Sequence, residues 1–309
     1  MAHSTDTHEA SAFGPGPPSC IGVVIHPSRN IDQPLKALRK WSAEHRVAIL
    51  QIPVSGQDRR VAEIGEPAEC DLLVAIGGDG TMLAALRAAA TASRPVIGVA
   101  SGSLGALAAV TVADVASALD RFSRGEWEPL RLPALHVRRD DGQEIFAIND
   151  IAIVRAAEGQ VRTTAAVDGT LFARFAGDGC IVSTPVGSSA YALSAGGPLL
   201  TPDTSAFLVT PLPAHGGVCP PLVISAGGKL ELGFVIGHGG ARLEVDGQVW
   251  MADLGALTVT LHDAVATTVK FADSESFITG LRRRGVILDS PRILAEETRT
   301  DDVGVRFTR

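Results

Sequence analysis

The fold is decided by the stretch "LLVAIGGDGTMLAALRAAA", residues 72–90, where an apolar run meets a glycine-rich turn and then a helix-forming segment. The run from Leu72 to Ile76 is continuously apolar and bounded by glycine, which is typical of a strand covered on both faces in a parallel α/β sheet. The residues after Thr81 favour a helix, and Thr81 is its expected N-cap. The glycines therefore lie at the carboxyl end of a strand, where open α/β sheets bind their ligands.

The turn combines the composition of a phosphate site with a negative charge. Glycine lets backbone N–H groups approach a phosphate, and the start of a helix favours an anion. Asp79 would repel that phosphate unless it carries a metal ion or takes a proton from an attacking hydroxyl. For an isolated GGDG sequence, an aspartate that merely caps the turn is an equal alternative.

Short apolar runs on either side of this stretch predict the rest of a sheet. "IGVVI", "VAILQI" and "PVIGVA" begin at residues 21, 47 and 95 and alternate with helix-compatible segments, at residues 31–44 and 112–124. Such alternation predicts an N-terminal doubly wound, Rossmann-like α/β domain with a mostly parallel sheet.

After about residue 130 the helical periodicity nearly disappears. Asp-Gly pairs at residues 141–142, 168–169 and 178–179 lie between β-rich runs and predict hairpins, and further strands are expected near residues 230, 242, 256 and 265. The second half is therefore predicted to be an antiparallel β-sandwich domain. "STPVGSSAYALSAGGPLL", residues 183–200, interrupts this pattern with small hydroxylated residues and a short predicted helix. It suits a polar ligand lying against backbone, and a plain connection explains it as well.

These patterns predict four segments. They are a disordered tail over residues 1–19, an α/β nucleotide-binding domain over 20–130, a β-rich substrate-binding domain over 131–284, and a C-terminal tail over 285–309. One arrangement open to this last tail is to pack on the N-terminal domain.

The bulk composition describes a globular protein and excludes several classes. Of the 309 residues, 46% are hydrophobic and 20% charged, and the net charge of −7 argues against nucleic-acid binding. No apolar run is long enough for a membrane helix, and no secretory signal core is visible. The four cysteines lack metal-ligand spacing, which indicates reduced thiols and a cytoplasmic protein. Zinc-binding histidine patterns, GxSxG and Walker A sequences do not occur.

Four motifs together resemble the NAD kinase family, within the superfamily that includes diacylglycerol and sphingosine kinases. They are "GGDGT" at residues 77–81, "IND" at 148–150, "DGCIVSTPVGSSAYALSAGGP" at 178–198 and "VDGQ" at 245–248. The first motif also fits lipid kinases, whereas the long third motif is far more specific to NAD kinases. The resemblance extends from about residue 21 to residue 284.

The resemblance implies ATP-dependent phosphorylation of the 2′-hydroxyl of the adenosine ribose of NAD, which gives NADP. Asp79 would be the general base, and Gly77, Gly78, Gly80 and Thr81 would bind the phosphates. Mg²⁺ would arrive with ATP, and no metal would be held by the protein alone. Phosphoryl transfer of this kind depends on an oriented hydroxyl and on charge neutralisation.

The resemblance also implies substrate-binding residues in the second half. Asn149 and Asp150 match a pair that holds ribose hydroxyls, Asp178 matches an aspartate near the nicotinamide, and Tyr191 would pack near the adenine. The full expected set is Asn149, Asp150, Asp178, Thr184, Ser188, Ser189, Ala190, Tyr191, Ser194, Asp246 and Gln248. "VDGQ" fits a plain hairpin turn equally well.

Because both halves contribute residues, the site is expected between them. The expected partners are ATP, NAD or a related nucleotide or nucleoside, and further copies of this chain in a homodimer or homotetramer.

Several positions depart from the family pattern. They are Ala100 (asparagine in the family), Ala106 (phenylalanine), Ala176 (arginine), Val186 (a hydroxylated residue) and Pro220 (arginine). Lost arginine and aromatic contacts would weaken binding of a phosphate-bearing, stacking substrate. A paralogue that phosphorylates another hydroxyl, and a non-catalytic dinucleotide-binding module, therefore stay open beside the NAD kinase interpretation.

Overall fold

A computed structural model describes residues 16–56, 58–102, 104–108, 110–251 and 254–293. The tails predicted over residues 1–19 and 285–309 fall largely outside these ranges. The chain divides into two units, Met1–Ser274 and Glu275–Arg309. The second contributes one short helix, which begins after Ser276, whose Oγ accepts the N–H of Thr279.

The described residues form five α-helices and seventeen strands. The helices are α1 (Asp32–His45), α2 (Asp79–Ala90), α3 (Val115–Ser123), α4 (Tyr191–Ser194) and α5 (Phe277–Arg283). The first strands are β1 (Cys20–Ile25), β2 (Ala48–Gln51), β3 (Glu63–Ile64), β4 (Leu72–Gly77), β5 (Pro95–Ala100), β6 (Glu128–Arg139), β7 (Glu144–Ala147) and β8 (Asp150–Arg155). The others are β9 (Val161–Val167), β10 (Thr170–Gly177), β11 (Gly179–Ser183), β12 (Ala206–Pro211), β13 (Leu222–Ser225), β14 (Leu230–Ile236), β15 (Ala241–Val245), β16 (Gln248–Met251) and β17 (Leu257–Lys270).

The N-terminal half is a parallel sheet with helices on both faces. Strands β5, β4, β1, β2 and β3 lie side by side in that order, all parallel. Every residue of β1, β4 and β5 is buried, as their continuous apolar runs predict. On one face Ile76 clusters with Trp41 of α1 and Phe122 of α3, and on the other Leu73 clusters with Met82 of α2. The predicted doubly wound arrangement is confirmed.

Strand β17 connects this sheet to antiparallel strands. It pairs in parallel with β5 and antiparallel with β6 and β14, so that one sheet continues from the first half into the second. A second sheet, in the order β13-β12-β11-β8-β15-β16, shares an apolar core with it. Phe175, Phe207 and Leu257 lie in this core. The predicted antiparallel β domain is confirmed, while its boundaries stay predictions.

Two of the three predicted Asp-Gly hairpins are confirmed and the third is wrong. The turns at Gly142 and Gly169 join β6 to β7 and β9 to β10 as antiparallel pairs. Asp178 instead lies where the chain leaves β10 in one sheet and enters β11 in the other. Its N–H donates to Pro213 O and its carboxylate accepts from Arg155, so contacts distant in sequence override the local turn preference.

The strands predicted near residues 256 and 265 are one strand. A register shift between His262 and Ala266 interrupts the pairing of β17 with β6, and Ala264 there has φ 56°. Such a bulge bends a strand without ending it, and it disturbs the two-residue alternation from which strands are predicted.

The four cysteines are free thiols, as the sequence predicts. Cys20 and Cys70 have their sulfurs 3.4 Å apart, and burial raises the pKa of Cys70 to about 12. Burial also raises the pKa of Cys20 above its usual value, so both thiols are protonated at neutral pH. Among the described residues, every helix is too short or too polar to cross a bilayer.

Candidate functional site

The glycine turn after β4 leads directly into α2, and no side chain of the described residues caps the first turn of this helix. The helix begins at Asp79 with Gly78 as its extended N-cap, so the prediction of an N-cap at Thr81 is wrong. Thr81 lies inside the first turn, with its side chain over Gly77, and cannot cap the helix from there. The uncapped amides of this turn remain available to an anion.

The carboxylate of Asp79 accepts hydrogen bonds from a second glycine-rich loop. Its Oδ2 accepts the N–H of Ala106 at 2.9 Å, and its Oδ1 accepts those of Leu107 at 2.9 Å and Ala108 at 3.3 Å. Gly105 must be glycine because a Cβ there would overlap this carboxylate. Each carboxylate oxygen can accept about two hydrogen bonds, so Oδ2 keeps an acceptor site. Asp79 can therefore bind one more donor, such as a ligand hydroxyl.

A cavity of about 840 Å³ opens beside the glycine turn, within the usual range for small-molecule sites. Among the residues that line it are Gly78, Asp79, Gly80 and Thr81, two arginines, Arg29 and Arg87, and from the β-rich half Phe146, Gln248 and Trp250. Residues of both halves therefore meet at this cavity. The other predicted substrate-binding residues are absent from its lining.

Asp246 lies inside the protein, in the hairpin turn between β15 and β16. Its fully buried carboxylate accepts the N–H groups of Ile148 at 3.2 Å, Asn149 at 2.7 Å and Asp150 at 3.2 Å. Arg87 of α2 donates Nη1 to it at 2.5 Å. Asp246 thus holds the backbone of the IND motif and ties it to the helix that follows Asp79.

Asn149 and Asp150 each have a buried polar side-chain group. The Oδ1 of Asn149 is buried and has no hydrogen-bond partner among the residues that the structure describes. Asp150 is also buried, and burial together with the neighbouring Asp246 and Glu244 carboxylates raises its pKa to about 7. A buried unpaired amide oxygen is costly, so it marks a position where a ligand donor is favourable.

The segment with small hydroxylated residues packs directly on the IND motif. Thr184 Oγ1 donates to Ile148 O at 2.7 Å, and Ser188 Oγ donates to Pro185 O at 2.6 Å. Gly187 approaches Asn149 O so closely that no side chain fits there. The other predicted residues of this segment are partly or largely exposed, namely Ser189, Ala190, Tyr191 and Ser194. The side chain of Tyr191 is 40% exposed.

Asp178 forms a half-exposed ion pair with Arg155 Nε at 2.5 Å. Nearby, Ala176 of β10 pairs directly with Arg162 of β9. Side chains of such pairs lie on the same face of a sheet. Arg162, on the neighbouring strand, therefore lies directly beside the position at which the family pattern has an arginine.

Four further residues that line the cavity were not predicted from the sequence, namely Arg29, Arg87, Phe146 and Trp250. A signal existed for Arg29, because it closely follows β1 and so lies at the same sheet edge as the glycine turn. No local pattern pointed to Arg87, since its partner Asp246 is 159 residues away.

The chain is similar to known proteins over most of its length. The family models for the ATP-NAD kinase N-terminal and C-terminal domains match residues 28–127 and 148–271. The NAD kinase of Heliobacterium modesticaldum is 36% identical over 247 residues, which cover 74% of this chain and 84% of that protein. The NAD kinase of Sulfurimonas denitrificans is 29% identical over 272 residues, which cover 83% of this chain and 92% of that protein.

Solved structures share the fold. Yeast NADH kinase complexed with NADH has a TM-score of 0.74 at 22% identity, covering 89% of each chain. An NAD kinase from Archaeoglobus fulgidus in complex with ATP has a TM-score of 0.65 at 23% identity, covering 86% of this chain and 96% of that one.

Proposed function

The chain belongs to the NAD kinase family, and from this premise we propose that it transfers the γ-phosphoryl group of ATP to the 2′-hydroxyl of the adenosine ribose of NAD. The products are NADP and ADP. The observation that carries the proposal is the position of Asp79, whose carboxylate lines a cavity of nucleotide size and keeps one acceptor site.

In the proposed mechanism Asp79 accepts the proton of the 2′-hydroxyl as that oxygen attacks the γ-phosphorus. The new O–P bond forms while the bond from the γ-phosphorus to the bridging oxygen breaks, and ADP leaves with the electron pair. Backbone N–H groups of Gly78 and Gly80, at the start of α2, stabilise negative charge on the transferred group. Holding the attacking 2′-oxygen and the leaving bridging oxygen in line at the γ-phosphorus contributes most of the remaining rate acceleration.

Mg²⁺ bound to ATP would neutralise charge on the phosphates. Within the described ranges, no three histidine, cysteine or acidic side chains form a metal cage. The oxygens of Asp79, Thr81 and Glu144 beside the cavity are of the hard type that Mg²⁺ prefers. We therefore propose that Mg²⁺ enters with the nucleotide.

We propose that Asn149, Asp150 and Tyr191 bind the adenosine of NAD. The unpaired Oδ1 of Asn149 can accept a ribose hydroxyl, and Asp150, with a pKa of about 7, can donate or accept near neutral pH. The remaining predicted contacts stay proposals. The side chains of Thr184, Ser188 and Asp246 form hydrogen bonds with backbone groups. We therefore propose that these three residues hold the shape of the site.

We also propose a cytoplasmic homodimer or homotetramer. Free thiols in all four cysteines support a reducing compartment. Light scattering on the purified protein would test the oligomeric state.

A substrate screen tests the proposed reaction. Purified protein is incubated with ATP·Mg²⁺ and NAD, NADH, adenosine, other nucleosides or diacylglycerol, and product masses are recorded. We expect NADP from the wild type, and NADP formation slower by about 10² to 10⁴ in Asp79→Asn. Phosphorylation of a nucleoside without NADP would replace the proposal with the paralogue interpretation.

A further inference from the structure

One ion pair joins the helix that begins at Asp79 to the hairpin turn that follows β15. Arg87 lies in α2, and its Nη1 is 2.5 Å from Oδ2 of Asp246. The Arg87 side chain is 27% exposed and that of Asp246 is fully buried, so the pair lies mostly out of water, where opposite charges attract each other more strongly. It therefore links α2 directly to a turn of the β-rich half.

On the β-rich side the ion pair reaches the IND motif through Asp246. The carboxylate of Asp246 accepts the N–H groups of Ile148, Asn149 and Asp150, and its own N–H donates to Asp150 O at 2.9 Å. Its backbone has φ 48°, in the left-handed region that a non-glycine residue rarely adopts. Hydrogen bonds from its backbone and to its side chain hold Asp246 in this conformation, so a displacement of Asp246 would carry the IND backbone with it.

On the other side the ion pair fixes the position of α2. Arg87 follows Gly80 by seven residues, so both lie on the same face of the helix, about two turns apart. Met82 of α2 and Ile148 also share a buried apolar cluster. Apolar contact is non-directional, whereas a charge-assisted hydrogen bond depends on the relative orientation of its partners. The ion pair therefore adds a defined alignment of α2 with the IND motif to the apolar contact.

We propose that Arg87 is a positioning residue, which acts through Asp246 and contacts neither substrate. It sets the distance between the carboxylate of Asp79, at the start of α2, and the acceptor hydroxyl held by the IND motif. The inference rests on the proposed function and adds to it the residue that aligns the base with the acceptor. A misplacement of reacting groups by about 1 Å can slow a reaction about a hundredfold, so a small shift of α2 is enough to lower turnover.

Steady-state kinetics on purified variants test the alignment. Arg87→Gln keeps a hydrogen-bond donor for Asp246 and removes the charge and the planar fork of donors. It should lower kcat for NADP formation about tenfold to a hundredfold, while the KM values for ATP·Mg²⁺ and NAD stay within about twofold, because the substrate contacts remain. Arg87→Lys keeps the positive charge and should recover part of the lost kcat.

A double-mutant cycle tests whether Arg87 acts through Asp246. Asp246→Asn keeps the shape of the side chain and removes its charge. In that background Arg87→Gln should lower kcat by a smaller factor than it does in the wild type, because the ion pair is already lost. Equal factors in the two backgrounds would mean that Arg87 acts independently of Asp246, and they would overturn the proposal.

Two variants outside the cavity lining serve as controls. Arg121→Gln breaks an arginine–aspartate pair of another helix, because Arg121 of α3 has a 23% exposed side chain that pairs with Asp273. Leu119→Ala removes buried apolar volume from α3 and lowers stability at a distance from the site. Both should leave kcat unchanged. Melting curves and circular dichroism verify that each variant is folded at the assay temperature.

The positioning role is rejected if Arg87→Gln has the kcat of the wild type, or if either control variant lowers kcat by the same factor. Arg87 also lines the cavity, so a raised KM with unchanged kcat would mean that it contacts a substrate directly, which rejects the role as well. If the wild type makes no NADP but phosphorylates another acceptor, the proposed function is lost. The same kcat ratios, measured with that acceptor, then decide the positioning role.

Discussion

Two turns in this molecule use an aspartate in the same way and with different consequences. Asp79 accepts the backbone N–H groups of residues 106–108, and Asp246 accepts those of residues 148–150. Asp246 is fully buried and has Arg87 as a counter-charge, whereas Asp79 is partly exposed and lines the cavity. Within the described ranges, Asp79 has no cationic partner.

The difference shows that the backbone hydrogen bonds that an aspartate accepts do not by themselves define the role of that aspartate. A buried carboxylate that is paired with a guanidinium and accepts three backbone N–H groups stabilises the chain around it. A carboxylate that faces a cavity and keeps an acceptor site can meet a substrate hydroxyl. The comparison predicts that changes at Asp79 affect catalysis and that changes at Asp246 affect stability.

The largest expected effect is on catalysis at Asp79. Asp79→Asn should lower the rate of NADP formation by about 10² to 10⁴, because an amide cannot accept the hydroxyl proton. The melting temperature should fall somewhat, because the amide NH₂ cannot accept the backbone N–H that one carboxylate oxygen accepts, and circular dichroism checks that the variant is folded. Turnover is measured with saturating ATP·Mg²⁺ and NAD, and near-normal turnover would assign the base elsewhere.

The converse change is at Asp246. Asp246→Ala should lower the free energy of unfolding by about 3–5 kcal/mol, because Arg87 and three amides lose their partner. Urea denaturation measures the loss. Glu44→Ala removes the exposed pair with Lys40 and should cost less than about 1 kcal/mol. Equal losses in the two variants would mean that Asp246 is not a buried clamp.

The third prediction concerns pH. The pKa of Asp150 is raised from 3.8 to about 7, so the folded protein binds its proton more tightly than the unfolded chain does. This group therefore stabilises the fold below about pH 4, and that contribution is lost as pH rises to about 7. The total is on the order of 4 kcal/mol.

Asp150→Asn should remove that decline, so the variant gains stability relative to the wild type between pH 4 and pH 7.5. Urea denaturation at several pH values measures the two slopes. Parallel slopes would mean that Asp150 does not titrate in this range.

The smallest effect is expected away from both turns, at Ala176. Ala176→Arg sets a second arginine opposite Arg162 and should lower stability by about 0.2–1 kcal/mol, with less loss at high salt. Ala176→Gln, similar in length and uncharged, should not show the salt dependence. A stabilising Ala176→Arg would mean that the two guanidinium groups do not share a face.

Much of the fold and part of the site could be predicted. The buried strands β1, β4 and β5 are short apolar runs, and that property is visible locally. The glycine turn and Asp79 were recognisable because they follow such a run directly. Val186, a departure from the family pattern, packs in the buried cluster with Met82 of α2, a contact that no local pattern indicated.

The amino-acid sequence by itself determined the alternation of strands and helices, the glycine turn at the end of β4, and the polar residues near each motif, because these depend on neighbours along the chain. Only the tertiary structure decided which carboxylates are buried and paired. Asp246 pairs with Arg87, which is 159 residues away in the sequence. At Asp178 the chain passes from one sheet to the other, and hydrogen bonds with Arg155 and Pro213 hold it there. Burial and counter-charge depend on which distant residues pack together, and it is these two properties that separate the proposed base from the buried clamp.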